Sequence, residues 1–509
     1  MSAMLSAPQD PEAGANGAKD PSKQAEVGIG LAAVLGFISS GATAVLSIAR
    51  SKVTAVVLGP VGVGMTAEVN QIVTMVMAPV SLASGPALIG AVAEGRASGD
   101  EAGVARAYQT ATTVTVLVAT VGIVLCVAVG SILLPKPWGP AEWPWTLMAA
   151  AGAAGLAWAA IPSQTLIALG ALRRLTVVSL ATATVSTVLV VVATWLFALD
   201  GQFVAIAVAG LAAVPITYAL ASTPLRGLRW RVSGRLDSAY GRRALRIGVA
   251  SLVAALTAQG MLFTIRWSLE ARGGPALNGQ FQAAWAIGAA YFGLVLSSLG
   301  NYAFPRYAAA SSSAELAQEL DDTLQFLFRI TPPIVILAVG FRREIVEALY
   351  SHKFDPAVEL MGIQMTGDFA KAVSWAHAGP LLYRGRIRAF LCTEVFASGT
   401  MIATVIPLVH RYGLDGVGYA YVITYVSYVV VTAVALRIDC SVPFRLRYLL
   451  GTAAVTAALI LMVPLERRVP SSRWLFAVGA IIWLQRAGVL AHLREGIRAR
   501  ARRVRSDRS

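Results

Sequence analysis

From Val27 onward the chain alternates apolar runs of about 20 residues with short polar or Gly/Pro-bearing breaks, and a helical run of that length crosses a hydrocarbon core of about 30 Å. The runs predict spans near 27–58, 69–93, 107–134, 144–169, 174–198, 203–222, 247–269, 280–304, 324–341, 360–383, 389–409, 415–436, 448–464 and 473–490. The strict alternation of a membrane barrel is absent, so these are helices, which satisfy their own backbone groups in lipid. The predicted fold class is an all-α integral membrane protein of about 14 transmembrane helices.

The polar intervals divide the chain. Residues 1–26 mix Pro, Gly, Ala and both charge signs without periodicity and predict a disordered cytoplasmic lead rather than a signal peptide. A six-helix bundle follows at 27–222, a basic cytoplasmic linker at 223–246 and a second six-helix bundle at 247–437. Two further helices occupy 438–490 and a basic tail 491–509. "LGPVGVGMTAEVNQIV" (58–73) and "ARGGPALNGQFQAAWAI" (271–287) each join the first span of a half to its second through a Gly/Pro turn and an amide-bearing helix start. That internal likeness predicts two bundles around a central cleft, plus the two C-terminal helices.

Composition agrees: 56% of the 509 residues are hydrophobic and 14% charged, with mean hydropathy +0.66. Lys and Arg outside the spans gather in the linker, in "YRGRIR" (383–388) and in the tail, all on one side, which the positive-inside rule makes cytoplasmic for both termini. The net charge of +15 is therefore topological, and nucleic acid is not an expected partner. Cys126, Cys392 and Cys440 lie far apart in or beside apolar segments, so neither a disulfide framework nor a metal site is expected.

Charges inside the spans are the candidate chemistry. An intramembrane cation costs about 2.5–3.5 kcal/mol at mid-helix on insertion scales, yet Arg50 and Lys52 sit in the first span, Arg266 in the seventh and Lys371 in the tenth. Glu68, Asp368 and Glu394 are intramembrane acids, and His377 titrates near neutral pH in its unperturbed form. Asp368 and Lys371 stand three apart on one helix, the spacing of an ion pair. Alternative readings are structural: Arg266 snorkelling to an interface, Glu68 and Glu394 hydrogen-bonding between helices, and His377 as a satisfied core residue.

Three stretches carry a family resemblance. "SKVTAVVLGPVGVGMTAEVNQ" (51–71) resembles the first-helix signature of the bacterial O-antigen translocases, the Wzx lipid-linked oligosaccharide flippases. "EIVEALYSHKFDPAVELMGIQMTGDFAKAVSWAHAGPLLYRGRIRAFLCTEV" (344–395) resembles the region around that family's ninth to eleventh helices, with its QxxGDxxKxxxW core at Gln364, Gly367, Asp368, Lys371 and Trp375. "HRYGLDGVGYAYVITYVSYVVV" (410–431) is similar to the loop and helix that follow. The resemblance runs from about residue 27 to 437 and reaches a superfamily that also holds MATE drug antiporters and lipid II flippases. The two helices after Arg437 and the arginine at position 50 depart from the family's twelve-helix pattern.

The resemblance implies a non-enzymatic transporter of the bacterial inner membrane that moves an undecaprenyl-pyrophosphate-linked oligosaccharide, an O-antigen or exopolysaccharide unit, to the periplasmic leaflet. Its partners would be the lipid bilayer, a polysaccharide polymerase and a chain-length regulator; no cofactor is expected beyond a coupling ion, H+ or Na+. Arg50, Lys52, Arg266 and Lys371 are then the pyrophosphate candidates, since a diphosphate in low dielectric needs counter-charge. Positions 50 and 52 point roughly 200° apart on a helix, and the family motif favours Lys52. Asp368, Glu68, Glu394 and His377 are coupling candidates. Asn70, Gln71, Asn278, Gln280, Gln282, Trp285, Asn301 and Tyr302 offer the amides and aromatic faces that a glycan needs.

A MATE-like cation-coupled drug antiporter is the alternative, although it would prefer an anionic cavity. A glycan polymerase or ligase ranks lower, because the predicted periplasmic loops are short. No GxxxxGK[ST] motif occurs, which argues against ATP hydrolysis.

Overall fold

Residues 21–80, 86–133, 143–222 and 237–486 are described by the computed structural model, and among them the regular structure is entirely helical. We number the α-helices α1 (Pro21–Met77), α2 (Pro86–Ser98), α3 (Glu101–Leu133), α4 (Trp143–Ala168), α5 (Leu172–Ala221), α6 (Ser238–Ala309), α7 (Ser313–Gly340), α8 (Arg342–Leu349), α9 (Asp355–Tyr383), α10 (Ile387–Tyr412), α11 (Asp415–Cys440), α12 (Leu446–Arg468) and α13 (Ser472–Arg486). Eight described helices are long and apolar enough to cross a membrane. The chain is thus an all-α membrane protein, as its periodicity predicts.

Three of the helices are pairs of arms. α1 breaks at Gly59 (φ 64°), α5 at Ala198 (φ 51°) and α6 at Gly273–Gly274 (Gly274 φ 69°). With the arms taken separately, each expected span contains a described helical arm. Residues 21–26 of the expected lead are already helical, because Pro21 suits a first helical position and the following Lys, Gln, Ala and Glu are good helix formers. The expected linker is helical from Ser238; its remainder, 223–236, and the tail 491–509 lie outside the described residues.

α1–α5 pack around small cores, one holding Val69, Ala119, Ala149 and Phe203 and another Leu88, Tyr108 and Ile161. α6–α11 share a larger one built on Phe281, Leu324, Phe369, Val405 and Tyr421. Trp195, Phe197 and Leu475 stay exposed on the outside, as apolar side chains do when lipid replaces water as the solvent.

The two lobes meet where α1 crosses α6, and the crossing is reciprocal. Gly59, Pro60 and Gly64 recur as Gly274, Pro275 and Gly279, at the same spacing and with nearly the same broken backbone (φ 64°, ψ −171° against φ 69°, ψ −167°). A Cβ on Gly64 would lie 1.9 Å from the Pro275 carbonyl oxygen, and one on Gly279 1.8 Å from that of Pro60. Only glycine permits this approach of backbone to backbone. Three side chains also bond one lobe to the other, Lys52 and Asn278 near the breaks and Gln71 about 20 Å along the helices from them. Lys52 Nζ donates to the Glu347 and Ala348 carbonyls at 2.9 and 2.8 Å, capping the C-terminus of α8; Gln71 Nε2 donates to Gln259 Oε1 at 2.7 Å; and Asn278 donates to Glu68.

α12 and α13 lie against the C-terminal lobe, α12 on α7 and α9 and α13 on α7. Arg342, 1% exposed, binds α12 there. Its guanidinium reaches Glu466 of α12 at 2.7 Å and Glu359 of α9 at 3.2 Å, and donates to the Val339 and Val463 carbonyls. Arg473 pairs with Glu344 beside it, and at the opposite end Arg447 donates to both carboxylate oxygens of Asp321 (2.5 and 2.7 Å).

Two predictions follow from these contacts. Gly64→Ala or Gly279→Ala should disfavour the closed crossing by about 1–3 kcal/mol, a shift of roughly 5- to 150-fold in population. Spin labels at Val61 and Ala271 should then report a longer distance, whereas an unchanged distribution would refute the crossing as the closing contact. Arg342→Leu strands two carboxylates and should cost on the order of 3 kcal/mol, read as a lowered Tm in detergent.

Candidate functional site

The first centre is a cavity of about 300 Å³ beside the crossing. Arg50 and Thr54 come from the first arm of α1, Asn70 from its second arm, Gln202 from the second arm of α5, and Gln282 from the second arm of α6. Arg50 has no hydrogen-bond or ion-pair partner among the described residues, and neither does the Gln202 carbonyl oxygen. Behind Gln282 lies Arg266, which donates to Gln282 Oε1 and stacks 5.2 Å from the Phe281 ring. Arg266 is 6% exposed, with Nε and Nη1 unpartnered. Glu68, on the second arm of α1, interacts electrostatically with it, and a guanidinium buried in this way does not snorkel. Among the described residues no carboxylate lines the cavity.

The expected gathering of four cations around one anion is corrected in two places. Lys52, favoured from the family motif, faces away from the cavity and spends its ammonium on the carbonyls of α8. Residues 200° apart on a helix cannot share a pocket, and Arg50 takes the cavity face. Lys371 belongs to a separate centre.

That second centre lies inside the C-terminal lobe. Lys371 Nζ sits among four rings, 4.5 Å from the centroid of Phe292, 5.2 Å from Tyr425, 5.5 Å from Tyr421 and 5.7 Å from Trp285, an aromatic enclosure that stabilises a desolvated cation. Asp368, 1% exposed, is joined to Lys371 through a hydroxyl: Nζ donates to Tyr421 Oη at 3.1 Å, and Tyr421 Oη donates to Asp368 Oδ1 at 2.5 Å. The i, i+3 spacing thus yields a bridged pair. Tyr428 Oη donates to Glu394 Oε1 at 2.5 Å on the same face of α11.

The QxxGDxxKxxxW residues acquire physical roles here. Gly367 makes room for Tyr421, whose Cδ1 would lie 2.7 Å from a Cβ at that position. Trp375 packs edge-on against Phe292, the ring nearest Lys371. Gln364 Nε2 and Asp368 Oδ2 border Gly288, and both Gln364 Oε1 and Asp368 Oδ2 lack a hydrogen-bond partner.

The remaining candidates disperse. Glu68 accepts from Asn278, which also donates to Glu270 at 3.0 Å. His377 is buried with Nδ1 2.9 Å from the Val373 carbonyl, the position of a satisfied core histidine. Of the glycan candidates, Asn70 and Gln282 line the cavity, Gln71 bonds across the lobes, Gln280 donates to the Lys353 carbonyl at 2.8 Å, and Trp285 belongs to the Lys371 enclosure. The side chains of Asn301 and Tyr302 lie outside the described residues. Sequence reasoning passed over Tyr421, Tyr425 and Tyr428, although their i, i+4, i+7 spacing marks one helix face. Gln202 carried no such signal.

No family model matches the chain, and no curated protein matches it by sequence. Among solved structures, an inward-facing conformation of a multidrug resistance MATE family transporter of the MOP superfamily superposes with a TM-score of 0.67 at 15% identity, over 82% of this chain and 95% of that one. The fold is that of the MATE transporters. The lipid II flippase MurJ in an inward closed conformation shares it, with a TM-score of 0.66 at 11% identity over 92% of this chain and 99% of MurJ. An outward-facing MATE conformation gives 0.56 at 15% identity, over 79% of this chain and 95% of that one. MurJ is matched over more of this chain than either MATE structure.

Tyr421→Phe removes the hydroxyl that joins Lys371 to Asp368. It should lower stability by about 1.5–3 kcal/mol, the worth of a hydrogen bond to a charged group, measured as a fall in Tm in detergent; Tyr412→Phe on the exposed side should leave Tm unchanged.

Proposed function

We propose that the protein is a flippase carrying an undecaprenyl-pyrophosphate-linked oligosaccharide, an O-antigen or exopolysaccharide unit, from the cytoplasmic to the periplasmic leaflet of the bacterial inner membrane. The observation that carries this reading is the cavity between the lobes, where Arg50, without a hydrogen-bond or ion-pair partner among the described residues, meets Asn70 and Gln202, and where no described carboxylate lines the wall; Arg266 behind Gln282 is faced by Glu68. A guanidinium offers a planar fork to phosphate oxygens and amides suit sugar hydroxyls. At about 300 Å³ the cavity is at the low end for a small-molecule site, the scale of a diphosphate headgroup rather than a whole glycan. The drug antiporter stays the second reading because it has the same fold, but a cationic drug would meet positive charge here.

With the termini cytoplasmic, the Gly-Pro crossing closes the periplasmic end and the cavity loads from the cytoplasmic side. Opening requires the Pro60–Gly279 and Pro275–Gly64 contacts to part and Lys52 to leave the α8 carbonyls. Coupling belongs to the second centre. Asp368 and Glu394 with Lys371 leave one uncompensated negative charge in a buried bundle, which favours taking up a monovalent cation, H+ or Na+, in one state of the cycle. Asp368 Oδ2 and Gln364 Oε1 are the oxygens free to receive it. A polysaccharide polymerase and a chain-length regulator are the partners such a product would need.

Translocation of a fluorescent undecaprenyl-pyrophosphate oligosaccharide in proteoliposomes tests the reading. The wild type should move it, Arg50→Gln should slow it at least tenfold, and Asp368→Asn should abolish its dependence on an imposed H+ or Na+ gradient. A wild type that leaves this lipid in place and extrudes a cationic dye would replace the flippase with the antiporter.

A further inference from the structure

At the end of the C-terminal lobe remote from the Gly-Pro crossing, α7, α12 and α13 enclose a recess of about 550 Å³ that belongs to neither centre above. Arg329, Arg447 and Arg486 line it, with Phe328, Tyr448 and Trp483. Their levels in the membrane agree. Arg329 lies where the acidic opening of α7 (Glu315, Glu319, Asp321, Asp322) gives way to its apolar run, Arg447 opens α12, and Arg486 ends α13. Tyr448 and Trp483 are aromatic residues of the kind that mark the headgroup level, and Trp483 is 37% exposed, so the recess opens sideways.

The charges do not cancel. Asp321 is occupied by Arg447 at 2.5 Å and by Arg445 at 3.3 Å, while Arg447 also stacks 4.7 Å from the Tyr448 ring. Arg329 and Arg486 have no hydrogen-bond or ion-pair partner among the described residues. Three guanidinium groups on three helices therefore line an apolar-walled opening to the bilayer, and of the three only Arg447 is paired with a carboxylate, Asp321, which it shares with Arg445. Guanidinium forks match phosphate oxygens, and basic recesses between transmembrane helices suit the headgroups of anionic lipids.

We propose that this recess binds the phosphate headgroup of an anionic phospholipid of the adjoining leaflet, its glycerol and first acyl carbons lying against Phe328 and Trp483. The site joins α12 and α13 to α7, so a bound lipid completes the seat of the two C-terminal helices. The inference is independent of what the central cavity transports.

Native mass spectrometry of the full-length protein, equilibrated with phosphatidylcholine doped with cardiolipin, tests it. The wild type should retain cardiolipin at least tenfold over phosphatidylcholine, and Arg329→Gln/Arg486→Gln should lose that preference while keeping the wild-type Tm in lipid-free detergent. Arg384→Gln/Arg388→Gln, which removes two arginines of the neighbouring loop, should retain it. Equal retention by wild type and the Arg329/Arg486 variant, equal loss in both double variants, or displacement of cardiolipin by an equimolar amount of undecaprenyl phosphate would each overturn the assignment. The last result would give the recess to the polyprenyl lipid.

Discussion

Two backbones in contact decide the architecture. Where α1 crosses α6, the Pro60 and Pro275 carbonyls occupy the space in which Cβ atoms of Gly279 and Gly64 would sit, and packing this tight holds the lobes in one relative position. The breaks at Gly59 and Gly274 turn the second arms back into the membrane. Asn70 and Gln282 thereby come to face each other's lobe, with Arg50 beside them and Arg266 behind.

The intramembrane charges separate by how each is compensated. Lys371, Asp368 and Glu394 are enclosed, and rings and tyrosine hydroxyls replace the water they have lost. Arg342 is likewise balanced by two glutamates and two carbonyls. Arg50 is different: it borders a cavity and has no partner among the described residues, the arrangement expected of a group whose counter-ion comes and goes. Lys52, two residues along, fastens the closed end instead. A single turn of helix thus presents one cation to the cavity and one to the gate.

α12 is fixed to the C-terminal lobe at both ends, by Arg342 at one and by Asp321 with Arg445 and Arg447 at the other, while α13 is tied by Arg473 to Glu344 at its start. Such fixation suits helices that travel with their lobe.

The sequence by itself determined the solvent, the helical class and the positions of the arms, because apolar run length against bilayer thickness and the Gly-Pro breaks are local properties. It also singled out Asp368, Lys371 and Gly367 as a unit. Only the tertiary structure decided which charges meet. It set Arg50 rather than Lys52 in the cavity, since helix phase fixes relative directions and the packing of the lobes chooses among them. It placed the Tyr421 hydroxyl between Asp368 and Lys371, a contact between residues about fifty positions apart. Gln202, Arg342 and the three arginines of the lateral recess owe their surroundings to neighbours distant in the chain, and no local pattern encodes a neighbour of that kind.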